Sequence, residues 1–272
     1  MTFVTLSETD WDHLDRVWNF LDEGEVESAR TELSTRFRAR LEHPDVRIAD
    51  AAIAIEEGEP SRALSALQGA ELSADPALFF LLRGTANFDL WRFKPAREDA
   101  ERALAIRHDF ADAHDLLSRA LEYLGEDDTA LEHAAEAADL EPDLYPLPLE
   151  MTDAEFDELV EQSLKELPPP VRKHLAEFPV MVEPLPDPGV MKEDSPHLQP
   201  DLLGLFIGRD LMSRTHQDLP TAHGAIYLFR RNLLRFCRTP ETLAREIRIT
   251  VQHEIGHLLG LDEEDLEQWG LA

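Results

Sequence analysis

Residues 251–272 read VQHEIGHLLGLDEEDLEQWGLA. His253 and His257 are four residues apart, so on a helix both imidazoles project from one face. Glu254 is turned about 100° from His253 and can still reach a water on a metal held by the two rings. Zinc lowers the pKa of a bound water to about 7, and a carboxylate beside it can take the proton during attack on a carbonyl. The pattern therefore supplies two neutral nitrogen donors and one carboxylate left free as a base. A catalytic zinc of this kind takes three protein ligands and keeps one open position. The third must come from the last fifteen residues or from an upstream loop. Asp262, Glu263, Glu264, Asp265 and Glu267 are the candidates in the tail, and His197, His216 and His223 are candidates in loops.

The elements that must hold these residues can be read from the same stretch. Thr239 is a suitable N-cap and Pro240 suits the first helical position. Ile247, Val251, Ile255 and Leu258 form an apolar stripe at helical spacing, nearly opposite the two histidines. The stripe should face the core, leaving the imidazoles in a cleft. A continuous helix would carry later side chains away along its axis at about 1.5 Å per residue. Gly260 offers a turn at low steric cost. Upstream, MTDAEFDELVEQSLKELP reads as a helix capped at Thr152 or Asp153, and PPPVRKHLAEF as a short one. PVMVEPL (179–185), DLLGLFIG (201–208) and GAIYLFR (224–230) read as short strands. The stretch from Asp187 to Pro200, and residues 209–223, read as loops.

The first half repeats. Ala29, Ala63, Ala96 and Ala130 recur at intervals of 33 or 34, and Leu33, Leu67, Ala100 and Ala134 follow four residues later. Gly24, Gly58 and Gly125 precede three of the alanines, with Phe93 near the missing third place. Pro44, Pro76 and Pro142 are expected to close units by ending a second helix, and His108 stands near the remaining position. This predicts a helical hairpin repeated about four times over residues 10–142, and it resembles the tetratricopeptide repeat. Such arrays commonly hold a peptide or protein partner in a groove. The alternative is a spacer or self-association surface.

Pro142, Pro146 and Pro148 then break the helical period. The expected organisation is a repeat domain at 1–142, a Pro-rich linker at 143–150 and a second domain at 151–272. The fold class is multidomain: an all-α helical-hairpin array followed by a small α+β domain with a short mixed sheet.

Composition sets outer limits. Twenty-six Lys and Arg face fifty-six Asp and Glu, a formal net charge of −30. An acidic surface of this size repels phosphate backbones and anionic lipid, so neither nucleic acid nor membrane is an expected partner. Cys237 is the single cysteine, which leaves no internal disulfide. MTFVTLSETDWDHL lacks the basic-then-apolar order of a signal peptide. No apolar run is long enough to span a bilayer. A cytoplasmic location is the expectation. Arg230, Arg231, Arg235 and Arg238 form a basic cluster, read mainly as charge balance for carboxylates. Cys237 reads as a small core residue. No phosphate-cradling glycine loop, G-x-S-x-G or paired-cysteine metal motif is present.

HEIGHLLGLDEEDLEQWGL, with MTDAEFDELVEQSLKELPPPVRKHL, VMVE, LLGLFIG and AIYLFRRNLLRF before it in that order, resembles the minimal zincin family of bacterial zinc metallopeptidases over residues 150–272. The resemblance implies a zincin-like fold with an H-E-x-x-H helix. It implies His253, His257 and Glu263 as Zn2+ ligands, Glu254 as catalytic base and Gly260 as the turn. Members of that family often carry Asp at the third place, and Glu263 here is flanked by Asp262 and Glu264. Those two are expected as supports of the site or as alternative ligands. No histidine or methionine follows His257, which separates the chain from metzincins. Zincin-type sites also lay an extended peptide along a sheet edge, and GAIYLFR is the strand expected to supply it.

The leading expectation is thus a zinc-dependent metallopeptidase acting on peptide or protein substrates, with a repeat domain that recruits a partner. The alternative is a non-catalytic interaction protein whose zincin domain is a structural or regulatory metal-binding module.

Overall fold

A computed structural model of the chain describes residues 5–38, 42–194, 198–208 and 224–259. The chain divides into two units, Met1–Tyr145 and Pro146–Ala272. Among the described residues, no helix is long and apolar enough to cross a membrane.

The described residues of the first unit form four helical hairpins: α1 (Glu8–Asp22) with α2 (Val26–Arg36), α3 (Pro44–Glu56) with α4 (Pro60–Ala66), α5 (Pro76–Asp89) with α6 (Phe93–Ile106), and α7 (Ala111–Leu124) with α8 (Asp127–Leu140). Ala29, Ala63, Ala96 and Ala130 are all buried, as are the residues four positions on. Small side chains there let the two helices of each hairpin approach closely.

Each hairpin turns through one residue with left-handed backbone: Gly24 at φ 74°, Gly58 at 69°, Trp91 at 60° and Gly125 at 76°. These positions repeat at the same intervals as the alanines. The missing glycine is therefore replaced by Trp91, not by Phe93, which opens the next helix. A left-handed non-glycine residue costs about 1–3 kcal/mol. The indole offsets this by packing edge-on against Phe93 and Tyr123, at 6.1 and 6.0 Å between centroids. Phe93 and Tyr123 stack at 4.0 Å.

A second recurrence crosses three of the four hairpins between residues nineteen apart. His13 Nδ1 meets Glu32 Oε1 at 2.6 Å, Arg47 Nη1 donates to the Ala66 carbonyl at 3.3 Å, and His114 Nδ1 meets His133 Nδ1 at 2.9 Å. The third hairpin uses a different pair, Arg83 with the buried Asp99.

The prolines act differently from expectation. Pro44 and Pro76 do not end helices; they stand at the start of α3 and α5. The first turn of a helix has no use for an N–H there, and proline's fixed φ already suits it. Pro142 does follow the last helix of the array.

The second unit begins with α9 (Asp153–Lys165), whose Thr152 and Glu155 form a reciprocal capping box. After it come α10 (Pro169–Arg172), a 3-10 turn (Lys173–Ala176), β1 (Val180–Glu183), α11 (Pro188–Asp194), β2 (Gly204–Gly208), β3 (Gly224–Phe229), α12 (Arg230–Phe236) and α13 (Pro240–Leu258). Helix α11 replaces part of the loop expected between Asp187 and Pro200. The expected loop at 209–223 lies outside the described residues.

The sheet order is β1-β3-β2, with β1 parallel and β2 antiparallel to β3. Strand β3 is therefore central. The expectation that GAIYLFR forms the sheet edge is overturned, because Val180 pairs with Ile226 on one side and Phe206 on the other. Burial along β3 is nearly continuous, the pattern of a strand covered on both faces.

Phe156, Val160, Ile226, Leu228, Leu233, Leu243, Ile247, Val251 and Ile255 meet in one core, with Cys237 among them. Burial pushes the Cys237 thiol up to about 11, so it is an inert core residue. The stripe on α13 is buried as expected, extended one turn back by Leu243, whereas Leu258 is only half-buried.

Candidate metal and catalytic site

Thr239 caps α13, with Thr242 completing the box, and Pro240 follows. The buried stripe fixes the helix rotation. His257 is consequently exposed and His253 half-buried, on the side away from the core. Their rings stand nearly perpendicular, with centroids 4.3 Å apart. The two Nε2 atoms are 2.7 Å from one another. The two nitrogens thus lie close enough to share one ligand. Two imidazoles on a tetrahedral zinc, with Zn–N near 2.0–2.1 Å, would stand roughly 3.3 Å apart. The donor set therefore fits zinc after a small opening of the rings. Among the described residues, no three His, Cys, Asp or Glu side chains converge as a metal site. The expected third ligand Glu263, its neighbours Asp262 and Glu264, and the turn at Gly260 lie outside the described residues. His197, His216 and His223 do too.

Glu254 points toward the sheet. Its Oε2 accepts a hydrogen bond from the backbone N–H of Phe206 at 2.9 Å. Phe229 N donates to the Leu203 carbonyl, so odd positions of β2 turn their main chain toward β3. Phe206 therefore turns its N–H to the outer edge of the sheet. Burial holds the Glu254 carboxyl above its usual range; the Phe206 bond and the two imidazoles pull the other way. A base with a raised pKa is better matched to proton transfer near neutral pH.

Two residues that sequence reasoning passed over set this geometry. A Cβ at Gly204 would lie 2.5 Å from Thr250 Cγ2 and 2.8 Å from the Tyr227 carbonyl. The absent side chain lets α13 lie against β2. From Thr250 to Glu254 is one helical turn, about 6 Å. From Gly204 to Phe206 is about 6.6 Å of strand. Helix and strand thus keep step, and the carboxylate arrives beside the Phe206 amide. A glycine inside a strand pattern was the signal available in DLLGLFIG. The second residue is Asn232, whose Nδ2 donates to the Pro200 and Leu202 carbonyls at 2.9 and 2.7 Å. It fixes the chain as it enters β2. Nothing in the sequence pattern marked it.

Arg230 of the basic cluster pairs with Asp153 at 2.7 Å, tying α12 to α9, in keeping with charge balance. Arg248 pairs with Glu166 at 2.8 Å, joining α13 to α9.

Residues 175–271 match the family model described as zincin-like metallopeptidase. A zincin-like domain thus occupies the C-terminal part of the chain, behind an array of helical hairpins. No curated protein matches the chain. Among solved structures, two of MamA are similar: one at 22% identity, covering 50% of this chain and 75% of that chain with a TM-score of 0.40, the other at 20%, 51% and 77% with 0.39. A double mutant, MamA RS-1 ArsTM, follows at 18% identity, 49% and 76% coverage and 0.40.

Proposed function

We propose that the chain is a zinc-dependent peptidase whose repeat array recruits a protein or peptide partner. The observation that carries this reading is the pair of Nε2 atoms 2.7 Å apart on α13, with the Glu254 carboxylate held beside the outer edge of β2. The family match over residues 175–271 supports it. His253 and His257 would hold the zinc, with Glu263 as the expected third ligand. A zinc bound there supplies a Lewis acid that polarises a peptide carbonyl and acidifies a coordinated water. Glu254 accepts the water's proton and returns it to the leaving amine. Strand β2, an outer strand of the sheet among the described residues and the one beside Glu254, replaces β3 as the proposed edge for an extended substrate. Main-chain bonding along an edge is tolerant of sequence.

Metal analysis joined to a peptide-library digest tests the reading. Wild-type protein should hold about one zinc per chain and cleave peptides. Glu254→Gln should keep the zinc and lose turnover. A zinc-replete wild type that cleaves nothing would favour the non-catalytic, metal-binding alternative.

A further inference from the structure

The peptidase reading gives Glu254 its task but leaves open what holds its carboxylate. That side chain starts from a partly buried position of α13, close enough to the two imidazoles to feel their charge. Its Oε2 accepts from the Phe206 N–H at 2.9 Å. Three features show that this contact is built into the fold. Gly204, two residues earlier on β2, is bare where Thr250 Cγ2 presses closest. Thr250 lies one turn before Glu254 on the same helix, so the close approach sets the height of Glu254 along the strand. The Phe206 ring is itself fixed, edge-on to Phe178 at 5.6 Å between centroids and over the bare Cα of Gly224, where a Cβ would come within 2.4 Å of it. The amide is therefore held from the strand side and the carboxylate from the helix side.

We propose that the backbone N–H of Phe206 is a positioning group for Glu254. It occupies Oε2, which assigns the proton transfer to Oε1, and it does so before metal or substrate arrives. The inference rests on the peptidase reading for its catalytic consequence, but the bond itself is a property of the metal-free chain. It has a corollary for substrate. A peptide adding to the outer edge of β2 finds the Phe206 N–H already engaged, so its pairing at that register is limited to the Phe206 carbonyl.

Amide exchange and chemical shifts in zinc-free, full-length protein test the bond directly. A neutral hydrogen bond contributes about 1 kcal/mol net and one to a charged group somewhat more. In Glu254→Ala the Phe206 amide should therefore exchange roughly tenfold faster and move upfield. The Leu205 and Ile207 amides, which face β3, should change little. The catalytic consequence needs a pair of variants. Phe206→Pro removes the outward N–H at an edge position where proline leaves the ladder intact. Phe206→Ala removes the ring and keeps the N–H. Phe206→Pro should lower kcat about 100-fold with KM and zinc content little changed, as for other groups that orient a catalytic residue. Phe206→Ala should lose less, because the pairing of β2 with β3 still holds the amide when the ring is gone. An unchanged Phe206 amide in Glu254→Ala overturns the proposal, as do equal kcat losses in the two Phe206 variants. A wild type without turnover would count against the peptidase reading alone, since the exchange experiment still decides the positioning.

Discussion

His253 and His257 differ in exposure, but their Nε2 atoms lie 2.7 Å apart on one helical face, and this sets them apart as a candidate donor pair. Replacing either should abolish tight metal binding. His257→Ala, dialysed against trace zinc, should retain well under one equivalent by mass spectrometry of bound metal. The tail must be tested the same way. Glu263→Ala should weaken zinc binding by more than about tenfold, and Asp262→Ala and Glu264→Ala by much less. If Asp262→Ala is the damaging change, the turn at Gly260 is tighter and the third ligand is one residue earlier. Gly204 makes a stability prediction of its own. A methyl there would strike Thr250 Cγ2 and the Tyr227 carbonyl together. Overpacking of this kind costs about 1–3 kcal/mol, so Gly204→Ala should lower the urea midpoint without altering the denaturant slope.

Hairpins and strands carry predictions that no single residue does. In the fourth hairpin, His114 Nε2 faces the His108 carbonyl at 3.0 Å, so it must donate. Its Nδ1 then accepts from His133 Nδ1–H. Burial, and next the His114 ring, hold the His133 pKa below 6.5, while Glu132, Glu136 and Glu101 pull it back up. The unfolded chain therefore binds this proton more readily. The stabilising contribution is complete above about pH 6.5 and is lost as pH falls through the lower folded value. Urea midpoints at pH 7.5, 6.5 and 5.5 should fall less steeply in His133→Gln than in wild type. In the sheet, the central place of β3 changes what proline does. Leu228→Pro takes an N–H from a strand paired on both sides. It should unfold the second unit and lose zinc with it, whereas Phe206→Pro on the edge should not.

At the scale of the whole molecule, the chain is two units with separate cores. The core of the second unit draws on α9, α10, β1–β3, α12 and α13, all of it C-terminal to Pro146. A unit that closes its own apolar core can fold alone. A fragment beginning at Pro146 should be soluble, melt cooperatively by circular dichroism and bind zinc as the full chain does. A partner captured by the full chain through its repeats should not be captured by that fragment.

Much of this was legible without coordinates, because it depends on local rules. The alanine period, the cap at Thr239, the stripe on α13 and the histidine pair each need only the helical repeat and short-range sterics. The four hairpins and the orientation of the site followed from those. Three features did not follow. Trp91 takes a left-handed turn because Phe93 and Tyr123 gather around it, a contact between residues 32 apart that no turn rule contains. The order β1-β3-β2 was hidden because every strand is short and partly apolar, and only pairing decides which lies in the middle. The Glu254–Phe206 bond spans 48 residues. The sequence by itself determined which residues could do chemistry and on which helical face they stand. Tertiary structure decided what the carboxylate holds, because that depends on how closely Gly204 lets helix and strand approach, and which strand is central, because that depends on pairing between strands distant in sequence.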